Sequence, residues 1–250
     1  MSVRRWGTGP ELVWLHGLGE SSTSFDPIAR RPELAGYAHV LPDLPGYGRS
    51  AWQDAPCTLA ALADRLAGWL GARPPAVLIG HSMGGVLATL VAERAPVRAV
   101  IDIDGNLSRG DCTFSAQAAA YALEDFIAHG LATMRAEVFA RAVAEAPLRA
   151  YHAAMVFASP EVFHGHALDL ITRSEPADLA ARLAQLRAPA LFVAGVPGGI
   201  CTRSRELLTA HGVCWVGVEP AGHWVYVDQP DRFVAEVVAF LATVPSTLAA

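Results

Sequence analysis

Short apolar runs alternate along this chain with longer segments in which apolar residues recur at helical spacing. Apolar runs of about four to eight residues are typical of buried strands, and a period of about 3.6 residues is typical of helices. The runs predict strands at Glu11–His16, Ala38–Leu41, Ala76–Gly80, Val97–Asp104, Ala190–Gly195 and Val213–Val218, with a short edge strand near Val3–Trp6. The periodic segments predict helices at Leu59–Leu70, Met83–Arg94, Thr202–Ala210 and Asp231–Leu241. This alternation favours an α/β fold with a mostly parallel central sheet flanked by helices.

The alternation stops between Gly105 and Leu186, where the pattern becomes helical throughout. Helices are predicted there at Phe114–Ala128, Leu131–Ala144, Leu148–Phe157, Pro160–Thr172 and Ala177–Leu186. We therefore expect a main domain formed by residues 1–105 and 187–250, interrupted by a helical insertion at 106–186.

The segment Gly80-His81-Ser82-Met83-Gly84 reads G-x-S-x-G and joins a predicted strand to a predicted helix. That context indicates a nucleophile elbow, a sharp turn that exposes a serine hydroxyl at the edge of the sheet. Ser82 is therefore the candidate nucleophile. The backbone N–H of Met83, at the start of the helix, is predicted to be one donor of an oxyanion hole.

A serine nucleophile needs a positioned base, and His223 is the candidate. It lies in Pro220-Ala221-Gly222-His223-Trp224, between the last predicted strand and the last helix. The other eight histidines follow a strand, flank the nucleophile, or lie in the helical insertion or at predicted surface positions. None of them pairs with an acidic or cysteine partner at metal-ligand spacing, so we predict neither a metal site nor a cofactor.

Two more segments complete the pattern: His16-Gly17-Leu18-Gly19 follows the first long strand, and Asp43–Ser50 follows the second. Together with the elbow and the Gly222-His223-Trp224 segment, in this order, they make the chain resemble the α/β-hydrolase superfamily. The resemblance runs from about Gly9 to Phe240 and is to its single-domain, cap-bearing, esterase-like branch.

The resemblance implies roles for two parts of the chain. The insertion 106–186 would form a helical cap over the active site, and the backbone N–H of Leu18 would be the second oxyanion donor. It also implies a triad acid after the strand Ala190–Gly195. However, Gly198 stands in that place, and the first carboxylate beyond it is Glu206.

An acid is present at another strand end, because the strand Val97–Asp104 carries Asp102 and Asp104. Some subgroups of the superfamily, including certain haloalkane dehalogenases, carry their acid where Asp104 aligns. We predict Asp104 as the triad acid, with a carboxylate oxygen within about 3.2 Å of the His223 nitrogen that faces away from Ser82. Asp102, two residues deeper on the same face, is the alternative acid. A purely structural alternative is that Asp104 caps the turn at Gly105-Asn106.

Composition narrows the class of protein further. The 250 residues are 52% hydrophobic and 17% charged, which suits one large domain with a buried core. The net charge is −5 and no cluster of Lys and Arg is present, which argues against a nucleic-acid partner. No apolar run approaches a membrane span, no signal peptide is evident, and the four cysteines lack C-x-x-C spacing. We expect a cytoplasmic protein with reduced thiols that acts on a small molecule.

These observations predict a carboxylesterase-like serine hydrolase. It would cleave an ester or thioester of a small or medium apolar substrate through an acyl-enzyme, without a cofactor. Serine at the elbow argues against dehalogenase and epoxide-hydrolase chemistry, which need a carboxylate there. Two alternatives stay open: a biosynthetic lyase or cyclase that uses His223 as a base, and a low-turnover binding protein. The absence of an acid at Gly198 is the feature that leaves the binding-protein alternative open.

Overall fold

The computed structural model describes residues 1–52 and 57–245, so that two short stretches of the predicted main domain, 53–56 and 246–250, lie outside the described residues. The described strands form one sheet, made of β1 (Ser2–Trp6), β2 (Glu11–Leu15), β3 (Ala38–Asp43), β4 (Val77–His81), β5 (Ala99–Ile103), β6 (Ala190–Gly198) and β7 (Trp215–Gly222). Their order across the sheet is β1-β3-β2-β4-β5-β6-β7. Edge strand β1 is antiparallel to β3, and every other pairing is parallel. The predicted α/β class with a mostly parallel sheet is confirmed.

Helices cover both faces of this sheet, because strands buried on both sides need a layer on each. Outside the insertion these helices are α1 (Asp26–Ala29), α2 (Leu59–Gly71), α3 (Met83–Ala92), α10 (Thr202–Ala210), α11 (Val225–Asp228) and α12 (Pro230–Thr243). Successive residues of one strand serve opposite faces. In β2, Val13 packs on the side of α2 and α3, whereas Trp14 packs on the side of α1 and α12.

Helix α2 illustrates how the local sequence produces an element. Its apolar residues recur at helical spacing and are buried: Leu59, Leu62, Ala63, Leu66 and Leu70. The hydroxyl of Thr58 accepts a hydrogen bond of 3.2 Å from the backbone N–H of Ala61 and so caps the first turn. The predicted helix Leu59–Leu70 therefore matches the observed one to within a residue.

The segment between β5 and β6 is helical, with α4 (Thr113–Ala119), α5 (Leu123–Asp125), α6 (Leu131–Arg141), α7 (Ala146–Met155), α8 (Pro160–Ser174) and α9 (Leu179–Ala184). The prediction of one helix over Phe114–Ala128 is wrong. The chain breaks after Ala119 and passes through a π-helical turn at Phe126–Gly130. At the break, the carbonyl of Tyr121 accepts a hydrogen bond of 2.9 Å from Nε2 of His164. In a continuous helix this carbonyl would instead accept from the backbone N–H four residues further along the chain.

Chain segments that leave the carboxyl ends of parallel strands meet at one edge of the sheet, which is where open α/β sheets gather their functional groups. Those that concern the site follow β2, β4, β5, β6 and β7, and the segment after β3 leaves the sheet at the same edge. Among the described helices, none has the length and apolar character needed to cross a lipid bilayer.

Candidate active site

Ser82 occupies the turn between β4 and α3 with φ 55° and ψ −122°, a backbone conformation that is strained for a residue with a side chain. The turn is possible only because the flanking residues lack side chains. A Cβ on Gly80 would lie 2.0 Å from the carbonyl oxygen of Gly84, and a Cβ on Gly84 would lie 2.0 Å from that of Leu15. The serine is 9% exposed and lines a pocket at the sheet edge. The predicted strand–turn–helix context is therefore present.

His223 directly follows β7 and lines the same pocket as Ser82. Its Nδ1 atom lies 2.7 Å from Oδ2 of Asp104, whose side chain is fully buried, while 24% of the His223 side chain is exposed. The distance expected between Asp104 and His223 is met. Within residues 1–52 and 57–245, no hydrogen bond joins Ser82 to His223, which is common in such sites before a substrate binds.

The carboxylate of Asp104 is held by backbone donors of the loop that follows β6. Its Oδ1 accepts hydrogen bonds from the N–H groups of Gly195, at 2.9 Å, and Ile200, at 3.1 Å. A Cβ on Gly199 would lie 2.3 Å from the same oxygen. The loop in which the resemblance places the acid is thus folded around a carboxylate that comes from β5 instead.

Asp102 has different surroundings, and the expectation that it shares a face with Asp104 is wrong. Its Oδ1 accepts a 2.9 Å hydrogen bond from the backbone N–H of Gly105, and it packs against Gly85 in α3. The two acids diverge because the chain leaves the extended conformation at Asp104, where φ is 51°. The residue that caps the Gly105 turn is therefore Asp102, which removes the capping alternative for Asp104.

Burial is the main influence on Asp102, and it raises the pKa of that carboxyl group well above its usual value. The hydrogen bond from Gly105 and the nearby His81 oppose this rise without overcoming it. Burial therefore favours the protonated form of Asp102, whereas a triad acid must be ionised to stabilise an imidazolium.

Of the two predicted oxyanion donors, Met83 follows Ser82 in the chain and Leu18 lines the same pocket as Ser82. Met83 is the first residue of α3, and Leu18 is in the turn in which the N–H of Glu20 donates to the carbonyl of Gly17. Within the described part of the chain, neither the N–H of Leu18 nor that of Met83 has a hydrogen-bond partner. Both groups are thus available to an incoming oxygen.

Glu20, which the sequence analysis did not single out, is buried beside the elbow and joins three segments of the site. Its Oε2 accepts hydrogen bonds from the backbone N–H of Gly17, at 2.7 Å, and from Nδ1 of His81, at 3.0 Å. Its Oε1 accepts one of 2.6 Å from Nε1 of Trp224, the neighbour of His223. One carboxylate therefore connects the oxyanion turn, the elbow and the segment that carries the base.

His81 completes this arrangement as a cation. Its Nδ1 faces the Glu20 carboxylate, and its Nε2 lies 2.9 Å from the carbonyl oxygen of His223. Because both partners can only accept, both ring nitrogens must carry hydrogen. Burial by itself would lower the pKa of His81, but Glu20 outweighs it and raises that pKa. Burial would likewise raise the pKa of Glu20, yet His81 and the other donors hold it at about 2.

A signal for this pair was present in the sequence. An ionisable residue is costly in a buried segment unless it is paired. Glu20 follows the His16-Gly17-Leu18-Gly19 turn and His81 lies within the elbow, and these segments follow adjacent strands, β2 and β4. The neighbouring His16 is structural, as its position suggests: its Nε2 accepts a 2.9 Å hydrogen bond from the N–H of Leu44.

The pocket shared by Ser82 and His223 has a volume of about 20 Å³, which is room for roughly one water molecule. Its lining mixes polar and apolar side chains: Gly17, Leu18, Glu20, His81, Ser82, Asn106, Asp111, Thr113, Phe114, Ser115, Tyr151, Leu170, His223 and Trp224. Seven of these lie in the insertion 106–186. Across the described ranges, no group of three or more His, Cys, Asp or Glu side chains could hold a metal ion.

Comparison with known proteins places these features in a family. The model of the alpha/beta hydrolase family matches residues 12–236. The pimeloyl-[acyl-carrier protein] methyl ester esterase of Pectobacterium carotovorum is 29% identical over 268 aligned residues, which cover 96% of this chain and 99% of that protein.

Solved structures show the same fold at lower identity. A thermophilic esterase from Thermogutta terrifontis superposes with a TM-score of 0.80 at 24% identity, covering 96% of this chain and 92% of that one. The enol-lactonase from Burkholderia xenovorans gives a TM-score of 0.79 at 20% identity, covering 96% of both chains.

Proposed function

The chain belongs to the α/β-hydrolase family, and we propose that it is a serine esterase whose catalytic triad is Ser82, His223 and Asp104. One observation carries the proposal: a serine on a strained elbow shares a pocket with a histidine whose Nδ1 lies 2.7 Å from a fully buried carboxylate. The pimeloyl-[acyl-carrier protein] methyl ester esterase of Pectobacterium carotovorum, similar over nearly its whole length, supports ester cleavage as the reaction.

In the first half-reaction, Oγ of Ser82 attacks the ester carbonyl carbon while Nε2 of His223 takes the hydroxyl proton. The Nδ1–H of His223 donates to Asp104, which fixes the tautomer and stabilises the imidazolium that forms. The N–H groups of Leu18 and Met83 donate to the oxyanion of the tetrahedral intermediate. His223 then returns the proton to the leaving alcohol, or to a thiol from a thioester, and the acyl-enzyme remains.

In the second half-reaction, water takes the place of the alcohol. His223 removes a proton from the water, which attacks the acyl carbon and forms a second tetrahedral intermediate. Collapse of that intermediate breaks the bond to Oγ of Ser82, returns the proton to the serine and releases the carboxylic acid. The steps together use groups of this chain, the substrate and one water molecule.

We further propose that residues 106–186 act as a cap that limits the size of the acyl group. Half of the residues that line the pocket come from this segment, including Phe114, Tyr151 and Leu170. The free volume beside Ser82 is only about 20 Å³, which supports a restriction by this segment on the size of the acyl group. All four cysteines are unpaired, which supports a reducing compartment such as the cytoplasm.

The proposal is tested with a fluorophosphonate probe and with p-nitrophenyl esters of increasing acyl length. The wild type should be labelled once, and Ser82→Ala should lose labelling and at least about a thousandfold in turnover, because a triad acts as a unit. Ser24→Ala, a change at a half-buried serine away from the pocket, is the matched control and should behave like the wild type. Labelling of Ser82→Ala equal to that of the wild type would rule out Ser82 as the nucleophile. If the wild type binds esters but the probe does not label it, the protein is a binding protein or a lyase.

A further inference from the structure

Two buried polar atoms in the pocket have no hydrogen-bond partner within residues 1–52 and 57–245. They are the hydroxyl oxygen of Tyr151 and the Oδ1 atom of Asn106. Each residue is 3% exposed, and each lines the same pocket as Ser82 and His223. Buried polar groups are nearly always paired, so an unpaired one in a pocket points to a ligand group that completes it.

The orientation of the Asn106 amide follows from its other contacts. Its Nδ2 atom donates a 2.9 Å hydrogen bond to the backbone carbonyl of Asp111. Because that carbonyl can only accept, the nitrogen must face it, and Oδ1 is left as a fixed acceptor. Asn106 follows Asp104 by two residues, so this acceptor lies close to the proposed triad.

Tyr151, in α7, is held in the pocket lining by aromatic contacts. Its ring packs against those of Phe114, at 4.9 Å between centroids, and Trp224, at 5.2 Å, and these two rings also contact each other. Its hydroxyl lies 3.0 Å from where a Cβ on Gly19 would be. The hydroxyl therefore lies over the oxyanion turn, next to the proposed donor Leu18, and is free to donate.

The hydrogen-bonding capacity of the two atoms decides which ligand group fits. The pocket lining includes the carboxylates of Glu20 and Asp111 and the positively charged His81, so its charge alone selects no ligand. A neutral hydroxyl suits both atoms, since it can donate to Oδ1 of Asn106 and accept from the hydroxyl of Tyr151.

We propose that Asn106 and Tyr151 form a polar subsite that binds a hydroxyl group of the substrate, so that the preferred substrates are hydroxy esters. The inference rests on the proposed esterase function and refines its substrate class. A hydroxy ester differs from the apolar substrate that the sequence predicts, because the sequence does not reveal which residues line the pocket.

The test uses pairs of esters that differ by one hydroxyl. Ethyl lactate with ethyl propionate, and ethyl 3-hydroxybutyrate with ethyl butyrate, place the hydroxyl on the acyl side. 2-Hydroxyethyl butyrate with ethyl butyrate places it on the alcohol side. The rate of acid release gives kcat/KM, and at least one hydroxy ester should exceed its partner by about tenfold or more, since the partner leaves the subsite unpaired.

Variants assign that preference to the two residues. Tyr151→Phe keeps the packed ring and should reduce the preference to about twofold or less, mainly by lowering kcat/KM of the hydroxy ester. Asn106→Ala should do the same, with thermal unfolding used to verify its fold. Tyr121→Phe, a change in the same insertion at a residue that does not line the pocket, should leave the preference unchanged.

The inference is overturned if no pair favours the hydroxy ester, or if the preference survives in both Tyr151→Phe and Asn106→Ala. Binding of each pair to the Ser82→Ala variant, followed by calorimetry, tests the subsite without turnover. Equal affinity within every pair would overturn the subsite by itself. Failure of the proposed function looks different: the wild type would show neither turnover nor labelling, while the binding preference could still be measured.

Discussion

Nδ1 of His223 and Oδ2 of Asp104 lie 2.7 Å apart although 119 positions separate the two residues in the chain. One follows β7 and the other follows β5, with β6 between these strands. The loop after β6 donates two backbone hydrogen bonds to the same carboxylate. Three neighbouring strand ends thus converge on one acid, which makes its removal a direct test of the site.

Asp104→Asn should retain the fold but lower kcat by roughly a thousand- to ten-thousandfold, because the amide favours the wrong tautomer of His223. Steady-state kinetics and circular dichroism measure the two effects. Asp102→Asn is the matched control, two residues away and equally buried, and should stay within a fewfold of the wild type. Full activity of Asp104→Asn would leave Ser82 and His223 as a dyad.

Asp102→Asn should also change how stability depends on pH. The folded-state pKa of Asp102 is raised, so the folded protein binds a proton that the unfolded chain releases near pH 4. Wild-type stability should therefore fall as the pH rises from about 4 towards the folded-state pKa, whereas the amide avoids this loss. Urea unfolding at pH 4 and pH 8 should show that the stability of the variant relative to the wild type is greater at the higher pH, and the opposite trend would contradict a raised pKa of Asp102.

Glu20→Gln should impair catalysis through the position of other groups, because Glu20 bonds to the oxyanion turn, His81 and Trp224. We expect kcat to fall by about tenfold or more with little change in KM, and Glu20→Asp to recover part of the loss. Glu33→Gln, at an exposed carboxylate, is the control. If kcat of Glu20→Gln returns to the wild-type value at temperatures where the variant is fully folded, the loss of kcat comes from unfolding and Glu20 has a structural role alone.

The same variant should reveal the buried pair in the pH dependence of stability. The pKa of Glu20 is lowered to about 2, so its contribution is complete above about pH 4.5 and is lost as the pH falls towards 2. The pKa of His81 is raised, so its contribution is complete below about pH 6.5 and is lost as the pH rises through its folded value. The loss of stability caused by Glu20→Gln should therefore be largest between about pH 4.5 and 6.5, where we expect it to be about 3 kcal/mol. A difference that does not vary with pH would contradict the ion pair.

Gly199→Ala should lower activity, because a Cβ there would lie 2.3 Å from Oδ1 of Asp104 and displace the carboxylate from His223. Gly68→Ala, at a helical glycine with nothing within 4 Å, is the control and should add about 0.5–1 kcal/mol of stability. Kinetics and thermal unfolding of both variants separate the effect on the acid from a general effect of added methyl groups.

Leu170→Ala should shift the acyl-length preference towards longer p-nitrophenyl esters, because Leu170 is buried in α8 and lines the pocket. The substitution should also cost about 2–5 kcal/mol of stability, as buried leucine truncations do. Leu168→Ala, exposed on the same helix, should change neither property. An unchanged length profile in Leu170→Ala would mean that the insertion stabilises the fold without selecting substrates.

Features that depend on neighbouring residues could be predicted from the sequence. The turn at Ser82 follows from two glycines, a preceding apolar strand and a following helix, all within about 20 positions. The parallel sheet follows from the alternation of strands and helices, and its strand ends place Ser82, His223 and Asp104 at one edge. The helix break after Ala119 escaped prediction, and next to it the carbonyl of Tyr121 bonds to His164, 43 residues further along the chain, a contact that no local pattern reveals.

Only the tertiary structure decided which groups face each other within that edge. Asp102 and Asp104 look equivalent in a strand pattern, but the left-handed backbone at Asp104 sends one to His223 and leaves the other in the Gly105 turn. Glu20 and His81 stand 61 positions apart, and their pairing depends on strands β2 and β4 lying side by side. Local spacing sets the conformation of a segment, whereas contacts between side chains and the charge state of buried groups arise from packing between segments that are distant in the chain.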